Sequence, residues 1–283
     1  MVKVEDYGKF ETAWCPGCGN FKLLDGVKQG LVQAGLEPHQ VLFVSGIGQA
    51  AKAPHYLRAN VFNGLHGRGV PAATGAALAL SGVKVIVESG DGCCYGEGGN
   101  HFLAAIRRNV DITMLVHDNM IYALTKGQAS PTTEEGRKTK TQPEGSNLER
   151  FDPVTVAVAM HAGFVARSFV GEQDHLAGMI ERALEHRGFS LVDIFQPCVS
   201  FNHVNTFKWF RDRCYTIGEE HDPSDHGAAM KLAAEWGDRI PIGLIYRNDR
   251  TPLDARIPAL EDGGLVGREV DLEKLAEIFG RYM

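Results

Sequence analysis

Asp91 and Asn119 are the two side chains on which the chemistry of this sequence turns. Asp91 stands in Gly90-Asp91-Gly92, just after the apolar run Val83–Val87, and Asn119 follows Asp118 just after a second apolar run, Ile112–Val116. The stretch between them has helical periodicity. The segment therefore reads strand, Gly-rich turn, helix, strand, which is a βαβ unit. Such units bind ligands at the carboxyl ends of their strands, so an acid and an amide are expected side by side above a sheet. Oxygen ligands suit a hard divalent cation that keeps substrate phosphates in its shell. Glycines beside Asp91 let a diphosphate approach the backbone, and the following helix is expected to aim its N-terminal N–H groups at it. These residue types at this spacing point to a Mg²⁺–diphosphate site with Asp91 and Asn119 as metal ligands.

A second set of residues offers sulfur. Trp14-Cys15-Pro16-Gly17-Cys18-Gly19-Asn20 brings two thiols together through one tight turn, close enough to serve a single metal centre. A thioredoxin-like redox pair would follow a strand, whereas only a polar arm precedes this one. Six cysteines occur, at 15, 18, 93, 94, 198 and 214. The N-terminal MVKVEDYGKFETAW lacks the layout of a signal peptide, so a cytoplasmic location is expected. There, clustered cysteines bind metal or do redox chemistry more often than they form disulfides. Cys93 and Cys94 come straight after Gly92, Cys198 follows a strand end, and Cys214 reads as a packing residue.

Other loops are placed to border the same crevice. Gln40–Val44 reads as a strand running into Ser45-Gly46-Ile47-Gly48-Gln49-Ala50-Ala51-Lys52, where Gly46, Ile47 and Gly48 are candidate cofactor contacts and Lys52 is the available cation for an anionic substrate. Lys52 reads equally well as a solvated surface lysine. His66 and Gly67, beside Arg68 in Leu65-His66-Gly67-Arg68-Gly69, form a candidate anion-facing loop, with His66 a ligand contact or a structural histidine. Leu124 and Thr125 follow the Asn119 strand. Residues 129–150 form a long loop without apolar period, which implies a functional or partner-covering role.

The elements that must hold these residues are legible from pattern. Helices are expected at Phe21–Gly35, at Val70–Leu80, from Asp152 to His161 with Asp152 as N-cap and Pro153 at N1, and at Gln173–His186; strands are expected at Phe164–Phe169 and Ser190–Phe195. Strands alternating with helices imply an α/β fold, a mainly parallel sheet with helices on both faces. From Ile217 the character changes to helical, strand-like and helical patterns at Ser224–Trp236, Ile240–Tyr246 and Asp271–Tyr282. The expected division is a core of residues 1–216 and a C-terminal extension of residues 217–283 packed on the core or on a partner. With 283 residues, 44% apolar, 23% charged and a net charge of −6, the chain has an ordinary globular composition and no basic stripe for nucleic acid. No apolar run reaches membrane-spanning length.

Gly-Asp-Gly followed by 26 residues and then Asn119 resembles the fingerprint of thiamine diphosphate enzymes. Together with CPGCGN, SGIG and its following lysine, LHGR, GGNHF, LTKGQASPT, QPC and EWGDRIPIG, it makes the chain resemble the β subunits of the 2-oxoacid:ferredoxin oxidoreductases from about Trp14 to Tyr246. The resemblance implies the diphosphate-binding fold of thiamine enzymes. It implies Mg²⁺ held by Asp91, Asn119 and a backbone carbonyl near Ile121, and a 4Fe-4S cluster held by Cys15, Cys18 and Cys198. Lys52 would face the substrate carboxylate. The implied reaction is coenzyme A-dependent oxidative decarboxylation of a 2-oxoacid such as 2-oxoglutarate or pyruvate, with ferredoxin as acceptor, and its reversal. Related chains usually carry Cys where Gln49 stands here, so Cys93 or Cys94 is expected to replace the missing ligand. The aminopyrimidine half-site is missing, which implies an α subunit carrying it and an (αβ)₂ assembly. Two other readings are a thiamine-dependent decarboxylase or carboligase subunit without electron transfer, and a zinc-stabilised interaction protein built on Cys15 and Cys18.

Overall fold

The computed structural model describes residues 1–283. Eight strands form one sheet: β1 Val41–Ser45, β2 Asn60–Asn63, β3 Lys84–Gly90, β4 Thr113–Asp118, β5 Phe164–Phe169, β6 Ser190–Phe195, β7 Cys214–Thr216 and β8 Ile240–Arg247. Their spatial order is β2-β1-β3-β4-β6-β5-β8-β7. The first six run parallel, and β8 joins β5 antiparallel with an irregularity between Val165 and Ala166.

Period-two alternation along the buried strands feeds two cores. Ile86, Leu115 and Val192 point into one core, while Val85, Val87, Met114, Val116 and Leu191 point into the other. The first is covered by α1 (Gly19–Gln33) and α5 (Gln173–Glu185). The second is covered by α2 (Gly69–Ala79), α3 (Gly99–Arg108), α4 (Pro153–Ala159) and α7 (His226–Ala233). α1 and α5 pack closely because Gly26 and Gly30, one turn apart on α1, leave room for Leu176 and Ile180 of α5; an added Cβ would lie 2.6 and 2.7 Å from those side chains. Asp152 caps α4 as expected, accepting from the N–H groups of Val154 and Thr155.

Two expectations change. The chain beyond Ile217 is no appendage: β8 is a buried strand of the sheet and α7 packs in its second core, so residue 216 marks no structural break. Only the far end, with the short helix α8 (Leu272–Gly280), carries no buried residue. The segment after Asp91 is not an α-helix at once; Gly92–Glu97 forms a π-helical turn, and α3 starts only at Gly99. Such turns are rare and concentrate at functional sites. The strands β2 and β7 and the short helix α6 (Phe207–Arg211) had no sequence signal. No helix is long and apolar enough to cross a membrane.

Candidate functional site

The parallel strands β1, β3, β4 and β6 are adjacent and end on the same edge, so four loops follow one another along a single rim. The β1 loop brings Ile47, Gly48 and Gln49. The β3 loop brings Asp91, Gly92 and Cys93. The β4 loop brings Asn119 and Ile121–Thr125, and the β6 loop brings Gln196 and Cys198. A cleft is lined by the first three loops together with His66. A second cavity beside it is lined by Cys15, Cys18, Cys198 and Gln49, among others. Gln49, Asn119 and Ala123 border both, so one wall separates them.

Asp91 and Asn119 are buried, at 2% and 8% exposure. The register Ser89↔Val116 and Gly90↔His117 makes their strand ends neighbours. Asn119 Oδ1 accepts from Ile121 N at 3.0 Å, closing an Asx turn over Met120, whose φ of 58° lies in the left-handed region. Thr133 Oγ1 fixes that turn by donating to Met120 O at 2.7 Å. Below the rim, Thr132 Oγ1 lies 2.7 Å from Asp91 Oδ2 and 2.7 Å from Asp118 Oδ1. One hydroxyl carries one proton, so the three oxygens need a second proton among them when no cation is present. Burial, and then the neighbouring Asp118, push the Asp91 carboxyl well above the usual carboxylate range. A nearby divalent cation would reverse that, because an opposite charge favours the ionised acid. The donor set of carboxylate, amide oxygen and carbonyl therefore fits Mg²⁺ in chemistry.

Tyr122 roofs the π turn. Its hydroxyl lies 3.3 Å from Gly92 O and 3.2 Å from Glu97 Oε2, and a Cβ on Gly92 would sit 2.2 Å from its ring. His66 lines the cleft with Nδ1 3.1 Å from Glu97 Oε2. Ile47, Gly48, Gly90, Gly92, Ile121, Leu124 and Thr125 also line it. Gly46 and Gly67 stand behind the lining against Cys93: Gly67 N donates to its Sγ at 3.2 Å, and a Cβ on Gly46 would be 2.4 Å from that sulfur. Lys52 is half-buried in a short 3₁₀ segment, Ala50–Tyr56, and lines neither cavity.

The cysteines divide. Cys15, Cys18 and Cys198 meet at the second cavity. Burial first, then the nearness of Cys198 and Cys15, raise the Cys18 thiol to about 11. Gln196 Nε2 approaches Cys18 Sγ at 3.6 Å. Cys93 belongs to the other cleft, and Cys94 is buried in the second core beneath the sheet. The expected fourth thiol from that pair is therefore not at the three-cysteine cavity. No three His, Cys, Asp or Glu side chains converge tightly enough to hold one ion. Thiols spread around a cavity match a polynuclear cluster, in which each iron takes its own thiolate, better than a single tetrahedral ion. A fully buried chain supports this cavity from below: Glu88 Oε1 to His117 Nε2 at 3.0 Å, and His117 Nδ1 to Asn20 Oδ1 at 2.8 Å. Sequence reasoning missed Thr132, Tyr122, Gln196 and this Glu88–His117–Asn20 chain; none sits in a spacing that signals its role.

Comparison with known proteins agrees on one group. Residues 41–194 match the C-terminal TPP-binding domain of thiamine pyrophosphate enzymes, and residues 198–262 match the C-terminal part of pyruvate ferredoxin oxidoreductase β subunits. The β subunit of 2-oxoacid:ferredoxin oxidoreductase 1 from Aeropyrum pernix is 42% identical over 246 residues, 83% of this chain and 77% of that one. The 2-oxoglutarate oxidoreductase subunit KorB of Mycobacterium tuberculosis is 43% identical over 192 residues, 68% of this chain and 52% of that one. A solved 2-oxoglutarate:ferredoxin oxidoreductase from Magnetococcus marinus, with 2-oxoglutarate, coenzyme A and succinyl-CoA bound, superposes with a TM-score of 0.91 at 36% identity. That match covers 98% of this chain and 96% of that one.

Proposed function

This chain belongs to the β subunits of the 2-oxoacid:ferredoxin oxidoreductases, and from that premise we propose that its two cavities carry out the two halves of one reaction. The first cleft takes Mg²⁺ and the diphosphate of thiamine diphosphate, with Asp91, Asn119 and the Ile121 carbonyl as metal ligands. The second takes an iron–sulfur cluster on Cys15, Cys18 and Cys198. The overall reaction is oxidation and decarboxylation of a 2-oxoacid with coenzyme A to acyl-CoA and CO₂, with electrons leaving to ferredoxin. 2-Oxoglutarate is the first candidate substrate and pyruvate the second, and a sufficiently reduced ferredoxin drives the reverse carboxylation. The observation that carries this reading is the shared wall. Gln49, Asn119 and Ala123 face both cavities, so a cofactor anchored at Asp91 lies next to the cysteines.

Bound thiamine diphosphate supplies the carbon nucleophile and the electron sink that decarboxylation of a 2-oxoacid needs. A bound cluster supplies a one-electron acceptor. The chain's own residues do the rest. Thr132, which also contacts Asp118, holds the Asp91 carboxyl in place. The Asx turn on Asn119 orients its amide, and the π turn Gly92–Glu97 carries Gly92 and Cys93 into the cleft lining. Tyr122 and Leu124 add apolar surface to the cleft lining. His66, held near Glu97, is an imidazole placed to handle a proton at the cleft.

Thiamine enzymes also need a carboxylate on the aminopyrimidine, from the partner α subunit. The active form is thus an (αβ)₂ assembly working in the cytoplasm, where its thiols stay reduced. The test is viologen or ferredoxin reduction by the co-expressed complex with coenzyme A and a panel of 2-oxoacids. Activity is expected only with both subunits, thiamine diphosphate and Mg²⁺ present. Full activity of the isolated chain would overturn the proposal.

A further inference from the structure

The second cavity has three cysteines and a fourth side that is not sulfur. Cys93 is wedged between Gly46 and Gly67 in the other cleft, Cys94 is 3% exposed in the second core, and Cys214 lies on β7, so none can reach it without rebuilding the rim. Among the other residues lining the cavity is Gln49, at the end of the β1 loop, where its side chain borders the cysteines. Its main chain is held in place, since its carbonyl accepts from Trp14 Nε1 at 2.9 Å. Its amide Oε1 is enclosed and has no hydrogen-bond partner. Enclosed acceptors without a donor are uncommon in folded proteins, and each calls for an explanation, such as an absent ion. An amide oxygen is a hard donor suited to ferrous iron rather than to sulfide.

Resting on the cluster assignment above, we infer that this chain holds its iron–sulfur cluster by three thiolates, those of Cys15, Cys18 and Cys198, with the fourth iron facing the amide oxygen of Gln49. One iron would then differ from the other three. A neutral amide brings no negative charge, so the cluster's net charge is less negative than with four thiolates and its reduction potential is higher, as when neutral ligands replace thiolates in other clusters. The same iron is the one the protein releases most readily. On mild oxidation an electron passes to the added oxidant and one ferrous ion leaves, giving a three-iron cluster. Ferrous ion together with a reductant returns both the iron and the electron.

The experiment uses the anaerobically purified complex with its partner subunit, as wild type and as Gln49→Cys, Gln49→Ala, Cys93→Ser and Cys94→Ser. Iron and acid-labile sulfide are counted, and electron paramagnetic resonance is recorded before and after ferricyanide and again after ferrous ion with dithionite. Wild type is expected to lose one iron in four, show the three-iron signal, and recover. Gln49→Cys is expected to keep all its iron and to show a lower potential. Gln49→Ala is expected to lose the iron more readily than wild type and to change the spectrum of the four-iron form. Cys93→Ser and Cys94→Ser are expected to match wild type in iron content. A wild type that keeps all its iron while Cys93→Ser or Cys94→Ser loses it would assign the fourth position to that cysteine and overturn the inference. Gln49→Ala indistinguishable from wild type would also overturn it while leaving the cluster in place. Absence of iron and sulfide from both wild type and Gln49→Cys would instead remove the cluster assignment itself, and this inference with it.

Discussion

Thr132 Oγ1 sits 2.7 Å from Asp91 Oδ2, joining the long loop after β4 to the end of β3 across 41 positions of sequence. Partners that orient a metal-binding carboxylate commonly matter about 10–100-fold for metal affinity. Thr132→Val is therefore expected to weaken Mg²⁺–thiamine diphosphate binding by about 10–100-fold while Thr132→Ser retains it. Titration calorimetry on the complex reads this directly, and an unchanged Thr132→Val would remove the loop from the site.

Asp91→Ala should be more severe, because it deletes the only carboxylate lining the cleft. Cofactor binding is expected to fall below detection, with the apoprotein no less stable. Removing a buried acid that burial and Asp118 both oppose relieves that repulsion. Binding and thermal unfolding are thus expected to move in opposite directions, whereas a merely misfolded variant would lose both.

Gly92 and Tyr122 form a matched pair. A Cβ at 92 would lie 2.2 Å from the Tyr122 ring, so Gly92→Ala must displace that ring from the cleft roof. Gly92→Ala is expected to cost about 1–3 kcal/mol of stability by overpacking. Adding Tyr122→Ala should recover part of that loss, and a double-mutant cycle with no coupling would show that the two do not pack as described.

The Glu88–His117 contact, 3.0 Å with both side chains fully buried, lies under the two cavities rather than in either. Removing one member of a buried pair strands the other and costs about 3–5 kcal/mol. His117→Leu is expected to lower the denaturation midpoint accordingly. It is also expected to loosen Asn20, which should appear as faster hydrogen exchange at the start of α1. If the midpoint stays put, the chain does not brace this part of the fold.

Beside the cleft, Ile47, Phe62, Leu65 and Leu124 are exposed at 39, 52, 74 and 38%. If the proposed α subunit completes the site, it is expected to cover these exposed apolar positions. Phe62→Glu should reduce co-purification with the α subunit and leave the melting of the isolated chain unchanged. Undiminished co-purification would place the contact elsewhere.

Much of this arrangement could be read before any coordinates. Phe164–Phe169 and Ser190–Phe195 are strands to the residue, each rich in Phe, Val, Leu or Ile and lying between helical segments. Asp91 and Asn119 were legible because strand ends in βαβ units converge. The exposed strand β2 was not, since all four of its residues face solvent and show no pattern. Neither the pairing partner of β8 nor its antiparallel direction is written in its own residues. Cys93 and Cys94 were both expected on the crevice rim, but only Cys93 lines the cleft, because a π turn rotates side chains differently from an α turn. That rotation sends one sulfur to the diphosphate cleft and the other into the core. Thr132 lies in a polar loop without period, and only the folded chain brings it under Asp91.

Because Asn119, Ala123 and Gln49 belong to both chambers, the proposed substrate chemistry and electron export would be separated by a single layer of side chains. No swinging arm or diffusing carrier is needed between them. The same economy limits engineering: a residue changed there to retune the redox partner also alters the surroundings of the vitamin, so the two properties are expected to evolve together.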